Sequence, residues 1–379
     1  RVDADLTDTD GSEQLSIIVK LPINVAGASF IPSSGSPVAG AVVTNLSGHD
    51  GQRVVSFDVE SSQEKSGKYE FELVMEEHFS GSSSVEIIAR STDGDDTQDT
   101  NVGTHSFTVA PFPDPPIYSD GDIVVVAGSE DGINSLGTSN PGQLNVSMQF
   151  PDVTDEVHYI IFQVDSNVRT VTYNGETKTP ETAAQNPSEL TGISGTAVRF
   201  PVTANSDGSF NGVFDFVAVS NYSGDIIASV IGRSIIADNS FLDSSAVQKT
   251  IAINPVADAP SANSADVVAS DGVEDAVIGS GNTAKIAVDA DLTDTDGSEQ
   301  LSIILKLPAE VTGASFIPGN GDAAVTGTIV TDVSGFDGQR VVSFNVASGQ
   351  ENSGKFEFEL TTSANLNTLN ASSLNIEVV

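Results

Sequence analysis

Hydrophobic and polar residues alternate over short stretches through much of the chain, and a period of two is typical of β-strands with one buried face. Clear examples lie in the last third of the sequence: AKIAVDA (284–290), QLSIILKL (300–307), VVSFNV (341–346) and KFEFEL (355–360). Asp-Gly pairs at 50–51, 207–208 and 337–338 fit tight hairpin turns, because glycine tolerates a positive φ. Short strands between turn signals, without a helical pattern, predict an all-β fold built from two-sheet sandwiches.

The sequence contains a long internal repeat. Residues 2–22 (VDADLTDTDGSEQLSIIVKLP) match residues 288–308, and the two stretches differ only where Val19 is replaced by Leu305. The match continues through GASFIP, GQRVVSF and SGK(Y/F)EFEL, whose second copies end at residues 318, 344 and 360. The first 90 residues or so and the last 90 or so are therefore expected to share one fold.

The middle of the chain is a divergent copy of the same unit. Its SGDIIASVIGRSIIADNS (223–240) parallels SGSSSVEIIARSTDGDD (80–96), and Pro-rich stretches at 110–116 and 254–260 mark the joins. We predict three tandem Ig-like, cadherin-like sandwiches in an extended rod. Their ranges are 1–112, 113–257 with a long insert at 166–192, and 258–379. The first and third are expected to be incomplete, so the chain reads as a segment of a longer array.

Paired phenylalanines in the two matching copies are expected to form the cores. They are Phe30, Phe57 and Phe71 in the first copy and Phe316, Phe344 and Phe358 in the third. The chain has no cysteine and no tryptophan, so the disulfide and tryptophan that mark antibody domains are missing. A general Ig-like sandwich is therefore expected rather than a true antibody-type domain.

Composition narrows the function. The 379 residues include 53 acids and 15 bases, which gives a net charge of −38, and this charge disfavours nucleic acid and anionic membranes as partners. No apolar run is long enough to span a bilayer, so no membrane insertion is expected. The four histidines (His49, His78, His105 and His158) are scattered, and no catalytic spacing is present, so we predict that the chain is not an enzyme.

Carboxylates are concentrated in the loop DLTDTDGSE, which contains Asp291, Asp294, Asp296 and Glu299. Four acids this close repel one another, and a hard divalent cation such as Ca²⁺ would remove that repulsion. The loop is not an EF-hand, because strands flank it and its glutamate comes too early. The alternative is a solvated turn that is merely rich in acids.

Carboxylates from the start of a domain and from this loop are expected to lie at the same pole of the sandwich. For the joint between the second and third domains, the candidate ligands are Asp258, Glu274, Asp275, Asp294, Asp296 and Glu299. The second domain offers a poorer set: Asp114, Glu130, Asp131, Asp155 and Glu156. The first domain repeats the loop with Asp8, Asp10 and Glu13. A further acidic hairpin at 91–101 is either another site or a soluble turn.

These residues resemble a known family. Four features carry the resemblance: the Glu-Asp pair near the start of the domain, the loop DTDGSEQLSI, the following GASF and the linker PVADAP. Together they are similar to the tandem extender domains of bacterial RTX-type adhesins, which are exported by type I secretion. The resemblance covers the observed length of the first and third domains and is loose in the second. It implies Ca²⁺ at the joints, an extracellular place on the bacterial cell surface, and a role in holding an adhesive module away from the cell.

Three functions follow from this reading. The first is an extender or stalk segment whose partners are neighbouring repeats of the same chain. The second is a glycan- or peptide-binding module in the middle domain, where Tyr159, Tyr173, Arg169 and Lys178 concentrate aromatic and basic side chains near an insert that otherwise reads as an ordered covering loop. The third is a subunit of a surface layer or extracellular filament, with lateral self-assembly.

Overall fold

The protein is almost entirely β-structure. The computed structural model describes residues 1–7, 10–32, 36–60, 67–262, 267–273, 276, 278–280, 283–294, 296–318, 323–347, 349, 351, 354–363 and 377–378. Within these residues there is no α-helix, and two single turns of 3-10 helix occur at Asp120–Asp122 and Glu130–Gly132. A search of the same residues for a helix of membrane-spanning length and apolarity finds none. Every strand pairs only with strands of the same predicted range, so the ranges 1–112, 113–257 and 258–379 are called domains 1, 2 and 3 below.

Domain 1 is a sandwich of two antiparallel sheets. Its strands are β1 (Val2–Asp3), β2 (Gln14–Lys20), β3 (Val25–Ile31), β4 (Val38–Ala39), β5 (Val54–Asp58), β6 (Lys68–Met75), β7 (Gly81–Asp93) and β8 (Asp96–Val109). One sheet has the order β1-β6-β3-β4 and the other β5-β2-β7-β8. The alternating residues of both sheets point into one shared core.

Domain 2 is a larger Ig-like sandwich. Its strands are β9 (Ile123–Val126), β10 (Gly128–Ser129), β11 (Gly142–Gln149), β12 (Val157–Val164), β13 (Val168–Tyr173), β14 (Glu176–Lys178), β15 (Glu181–Thr182), β16 (Thr196–Val202), β17 (Ser209–Ala218), β18 (Gly224–Ile235), β19 (Phe241–Asp243) and β20 (Val247–Asn254). The sheets have the orders β14-β13-β17-β11-β9 and β10-β20-β18-β12-β16-β15, and β19 pairs with β18.

Domain 3 repeats the arrangement of domain 1. Its strands are β21 (Val267–Ser270), β22 (Ala284–Ala290), β23 (Ser302–Lys306), β24 (Val311–Ile317), β25 (Val325–Thr326), β26 (Val341–Asn345), β27 (Gly354–Thr362) and β28 (Glu377–Val378). The sheets have the orders β21-β22-β27-β24-β25 and β26-β23-β28. The predicted all-β, two-sheet fold is therefore confirmed.

The first strand of domain 2 crosses from one sheet to the other. Its first part, β9, pairs antiparallel with β11, whereas β10 pairs in parallel with the last strand, β20, so that Ser129 lies beside Asn254. The crossing requires glycine, because a Cβ on Gly128 would lie 2.2 Å from the backbone nitrogen of Gly142. This path carries Glu130 to the end of domain 2 from which the linker to domain 3 leaves.

Aromatic clusters fill the predicted cores. In domain 1 the ring centroids of Phe57 and Phe71 are 5.3 Å apart, and Phe344 and Phe358 of domain 3 are 5.0 Å apart. The third member of each predicted trio, Phe30 or Phe316, packs against both rings. Four of the six phenylalanines are buried, and Phe30 and Phe71 are partly buried against the domain 1 core, so the repeated sequence produces repeated side-chain contacts.

The insert of domain 2 is ordered and covers the outer face of a sheet. It forms β13, β14 and β15, followed by a loop that ends at β16. The loop and the sheet beneath it share a small second core made of Ile161, Leu190, Ile193, Ala197 and Ile231. Beside it, the buried Arg233 binds both carboxylate oxygens of Asp243, at 2.6 and 2.8 Å, and stacks on Phe241. The covering-loop interpretation is correct, except that a face is covered rather than an edge.

Replacement of Phe214 by alanine should destabilise domain 2 strongly. Phe214 is fully buried, and its ring centroid lies 4.4 Å from that of Tyr173 and 4.7 Å from that of Phe162. Loss of a buried phenylalanine costs about 3–5 kcal/mol. Urea denaturation followed by circular dichroism should show this loss. Val213→Ala is the control, because Val213 is 50% exposed; a Phe214→Ala loss below about 1 kcal/mol would contradict the core assignment.

Candidate metal centre between domains 2 and 3

Three carboxylates from two domains meet at the joint between domains 2 and 3. Glu130 comes from the end of the split first strand of domain 2, and Asp294 and Asp296 come from the acidic loop of domain 3. One oxygen from each lies within 4.8 Å of the other two. Across the part of the chain that the structure describes, no other group of three or more acids or histidines is this close.

Glu130 is held in a position where its charge is poorly solvated. Its side chain is buried, with the residue 2% exposed. The backbone N–H of Val256, in the linker, donates to Oε2 at 3.1 Å, but Oε1 is buried and has no hydrogen-bond partner. Burial raises the pKa of Glu130 to about 7, against the effect of the Val256 hydrogen bond and with the help of the nearby charges of Asp294 and Asp296. One oxygen is thus available to a cation.

The acidic loop of domain 3 folds back on itself through its own side chains. The N–H of Asp296 donates to Oδ1 of Asp294 at 2.8 Å, and the N–H of Ser298 donates to Oδ1 of Asp296 at 2.7 Å. Asp294 is buried and Asp296 is exposed. These short local hydrogen bonds fix both carboxylates on the side of the loop that faces domain 2.

Domain 2 also donates directly to Asp296. The N–H and Oγ of Ser223 both donate to Oδ2 of Asp296 at 2.7 Å. Burial alone would raise the pKa of Asp296, but these hydrogen bonds and those from Ser298 outweigh it and lower the pKa to about 2. Asp296 is therefore charged in the folded protein throughout the physiological range, beside the oxygens of Glu130 and Asp294.

The linker adds further oxygens next to this group. The N–H of Asp258 donates to Oε1 of Glu299 at 2.5 Å, while Oε2 of Glu299 is buried without a hydrogen-bond partner. Burial raises the pKa of Glu299, as do the charges of neighbouring aspartates, against the Asp258 hydrogen bond. Oδ1 of Asp291 is likewise buried and unpartnered. Asp258, Asp294, Asp296 and Glu299 are thus all found at the predicted joint.

The donor atoms indicate which cation would fit. All are carboxylate oxygens, and oxygen-only sites suit hard ions, of which Ca²⁺ accepts six to eight ligands in flexible geometry. Buried unpartnered acid oxygens are costly unless something compensates them. Glu130 Oε1 is such an atom within a three-carboxylate group, so the residues present fit a divalent cation such as Ca²⁺.

The expected position of the Glu-Asp pair was wrong for domain 2. Because the first strand crosses to lie beside β20, Glu130 lies at the far pole of its own domain, against the loop of the next one, and not with Asp155 and Glu156. Its neighbour Asp131 has a positive φ of 52° and faces Arg169, with the two charges 3.8 Å apart. The equivalent Glu274 and Asp275 lie outside the described residues.

The joint between domains 1 and 2 uses equivalent positions with different chemistry. The N–H of Asp114 donates to Oε1 of the buried Glu156 at 2.5 Å, as Asp258 does to Glu299. Asp155 accepts a hydrogen bond from Ser80 Oγ, as Asp296 does from Ser223. Oδ2 of Asp114 contacts Nδ1 of His78 at 2.6 Å. Asp114, Asp155 and Glu156 are thus engaged in contacts across this joint.

The loop of domain 1 is only partly described. Asp8 lies outside the described residues, Asp10 is exposed with the N–H of Ser12 donating to it at 2.8 Å, and Glu13 is half-buried. The Asp10–Ser12 contact matches that of Asp296 with Ser298, so the two loops share a local turn.

The acidic hairpin at 91–101 is a turn with a structural ion pair. Arg90 binds both carboxylate oxygens of Asp99, at 2.7 and 2.9 Å, and Nε2 of His49 lies 3.0 Å from one of them. These contacts lower the pKa of Asp99, chiefly through the Arg90 hydrogen bond and against burial. Asp99 therefore stabilises domain 1, and the soluble-turn interpretation of this hairpin is favoured.

Sequence reasoning missed the residues of the upstream domain that contact the downstream domain or the linker at each joint. These are Ser223 and Asn221, whose Nδ2 donates to the carbonyl of Thr293 at 2.8 Å, and their counterparts Ser80 and His78. The backbone of both Asn221 and His78 is left-handed, with φ of 57° and 60°. The signal was present, because the parallel stretches that begin SG at 80 and 223 place these residues at the same point before a long strand.

Comparisons with known proteins give a likeness of fold only. No family model matches the chain, and no curated protein matches it. Among solved structures, the major pilin subunit BcpA of Bacillus cereus is 10% identical, covering 94% of this chain and 91% of that chain at a TM-score of 0.23. The C-terminal domain of the Streptococcus pyogenes antigen I/II-family protein AspA is 8% identical, covering 66% and 88% at 0.24.

A biofilm associated protein, described as a BSP domain, is 10% identical and covers 95% of this chain and 80% of that chain at a TM-score of 0.23. These three are a major pilin subunit, a domain of an antigen I/II-family protein and a domain of a biofilm associated protein. Because the identities and TM-scores are this low, nothing about the function of this chain follows from them, and the resemblance to RTX-type extender domains stays a prediction.

The raised pKa of Glu130 leads to a prediction for the protein from which divalent cations have been removed. The pKa of Glu130 is about 7 in the folded protein against an ordinary value of 4.5, so the folded state holds this proton more tightly than the unfolded state does. The contribution of Glu130 to the free energy of unfolding is therefore fully present at a pH below 4.5 and is lost as the pH rises to about 7. In chelator, the melting temperature of the wild type should therefore fall more between about pH 5 and pH 7.5 than that of Glu130→Gln, which is always neutral. Parallel curves for the two proteins would contradict the assignment.

Proposed function

We propose that this chain is an extender segment of a large bacterial cell-surface adhesin, stiffened by Ca²⁺ at the joint between domains 2 and 3. The observation that supports the proposal is the meeting of Glu130 with Asp294 and Asp296, with Oε1 of Glu130 buried and unpartnered. Ligands from both sides of one joint give a cation a mechanical role, because binding it fixes one domain against the next.

The electrostatics of the joint make its rigidity depend on the ion. Without a cation, the three carboxylates within 4.8 Å repel one another once the pH exceeds the Glu130 pKa of about 7. Unit charges about 4 Å apart cost roughly 1 kcal/mol in water and more where water is excluded. A bound divalent ion reverses the sign of this interaction. The joint thus changes from a strained contact into a cross-link between two domains.

Direct contacts set the geometry in which the ion would act. Ser223 and Asn221 of domain 2 donate to Asp296 and to the carbonyl of Thr293 in domain 3. The linker holds Val256 against Glu130 and Asp258 against Glu299. These hydrogen bonds are exposed or partly buried, so water competes for them. We infer that they orient the domains and that the cation supplies most of the stiffness.

The proposed ion also indicates a location. Extracellular modules bind Ca²⁺ with dissociation constants of roughly 10⁻⁴–10⁻³ M, which suits a medium rich in calcium. Type I secretion and placement on a bacterial cell surface belong to the same proposal. A stalk that stiffens only outside the cell would remain flexible during export and become rigid on arrival.

Calcium should raise the thermal stability of the wild type. A single site at a hundredfold excess of ion over its dissociation constant contributes about 2.7 kcal/mol, which for domains of this size shifts the melting temperature by several degrees. Differential scanning calorimetry in millimolar CaCl₂ and in EDTA measures the shift. Glu130→Gln and Asp294→Asn should each lose most of it.

The matched control is Asp95→Asn, which removes the same charge from an exposed position in the domain 1 hairpin. It should keep the full calcium response. Identical calcium responses in the control and in both joint variants would place calcium binding elsewhere and refute the proposed centre.

Calcium should also narrow the range of distances between domains 2 and 3. Because the chain has no cysteine, spin labels can be placed at Ser206→Cys and Ser334→Cys, two exposed positions. Double electron–electron resonance should give a narrow distance distribution with calcium and a broad one in EDTA. Glu130→Gln should stay broad in both. A distribution that is equally narrow without the ion would exclude calcium as the source of stiffness.

A further inference from the structure

A polar cavity lies within domain 2, away from the joint. It has a volume of about 460 Å³ and is bounded by β14, β16 and the loop between them, which belongs to the insert. Its walls carry two cations and three carboxylates, together with two neutral polar and three apolar residues. They are Lys178 and Arg199; Glu176, Glu181 and Glu189; Thr179 and Asn186; and Leu190, Ala197 and Val198. The chain has only 15 basic residues among 379, so two of them on one cavity wall call for an explanation.

Arg199 has hydrogen-bonding capacity that the protein does not use. Its guanidinium stacks on the ring of Tyr159, 4.1 Å from the centroid, and its side chain is only 13% exposed. Among the described residues it makes no hydrogen bond through its guanidinium, and its single ion-pair partner is Glu189, with Nη2 and Oε1 4.0 Å apart. Burial lowers the pKa of Arg199, yet the group remains charged. None of its nitrogens is both fully buried and unpartnered, so its donors reach the cavity opening, where water or a ligand can accept from them.

Lys178 lies beside Arg199, and its ammonium group already has partners in the protein. Its Nζ donates to the carbonyl of Arg199 at 2.6 Å and lies 3.4 Å from Oε1 of Glu176. Glu189 faces this cation too, with Oε2 at 3.9 Å from Nζ. The carboxylate of Glu189 thus lies opposite both cations but beyond hydrogen-bond distance of either.

The planar fork of an arginine matches a carboxylate in a two-point contact. The remaining wall groups, a threonine hydroxyl, an asparagine amide and glutamate oxygens, suit hydroxyl groups, since they offer both donors and acceptors. A cavity of about 460 Å³ is large enough for one sugar residue or a disaccharide end. An apolar ligand would leave these polar groups unpaired, and a simple anion would leave most of the cavity empty.

We propose that this cavity binds an acidic sugar residue, with the ligand carboxylate on the guanidinium of Arg199 and its hydroxyls on the facing polar side chains. The proposal is independent of the calcium joint, because the cavity and the joint share no residue. The net charge of −38 and the glutamates of the wall oppose an anion, so the affinity for a single sugar is expected in the millimolar range.

The test uses the full chain and sodium D-glucuronate, with D-glucose as the uncharged probe, in saturation-transfer difference NMR and in a titration of amide shifts. Glucuronate should give saturation transfer and shift the amides of β14 and β16, and glucose should bind at least about tenfold more weakly. Arg199→Gln should lower the glucuronate affinity about tenfold or more. Arg199→Lys, which keeps the charge without the fork, should be intermediate.

Glu189→Gln gives the sharpest comparison. Because Glu189 competes with the ligand carboxylate for Arg199 and repels it, this variant should bind glucuronate several-fold more tightly than the wild type. Lys249→Gln is the control, since it removes one positive charge from domain 2 outside the cavity and should leave binding unchanged. Circular dichroism melting of each variant checks the fold.

Three results would overturn the proposal. One is the absence of saturation transfer from glucuronate, galacturonate and N-acetylneuraminate at millimolar concentration. Another is equal binding of glucose and glucuronate. The last is a glucuronate affinity that Lys249→Gln lowers as much as a folded Arg199→Gln does. The calcium response of the joint is expected to be the same in all of these variants.

Discussion

The repulsion between carboxylates that the fold forces together is the interaction on which this structure depends. Glu130, Asp294 and Asp296 belong to two domains, and one of their oxygens is buried with nothing to bind. Folding alone does not relieve that cost, because each domain positions its own acids for reasons of backbone geometry. A proton on Glu130 relieves it below a pH of about 7, and under our proposal a divalent cation relieves it above that pH.

The two joints show how one backbone plan can serve different chemistry. A serine from the upstream domain binds an aspartate of the downstream loop at both joints, and a linker N–H binds a glutamate at both. At the first joint a histidine, His78, contacts the linker aspartate directly, where the second has Asn221 bound to a backbone carbonyl. Neighbouring joints of the same chain can therefore differ in how they respond to ions.

Most of the fold was predictable from the sequence, and part of the candidate centre was not. Strand periodicity and the near-identical repeat located the strands, the six core phenylalanines and the acidic loop, since these depend on local pattern. The meeting of Glu130 with the next domain depends on the path of one strand between two sheets. That path is set by close backbone contact at Gly128, which a single sequence does not reveal. The cavity beside Arg199 was also hidden, because it requires the insert to fold back over β16.

The divided first strand of domain 2 has a consequence for how the chain carries force. The short strand β10 runs parallel to β20 and is joined to it side by side. These two strands lie near opposite ends of the domain in sequence, so a force that stretches the chain would slide them past each other. Their hydrogen bonds would then bear the force together and would not break one after another. Only two residues form β10, and Glu130 follows at once. If a bound ion joined Glu130 to domain 3, part of the force would pass through the ion and not through the hydrogen bonds between β10 and β20. The ion would then protect domain 2 from unfolding under force.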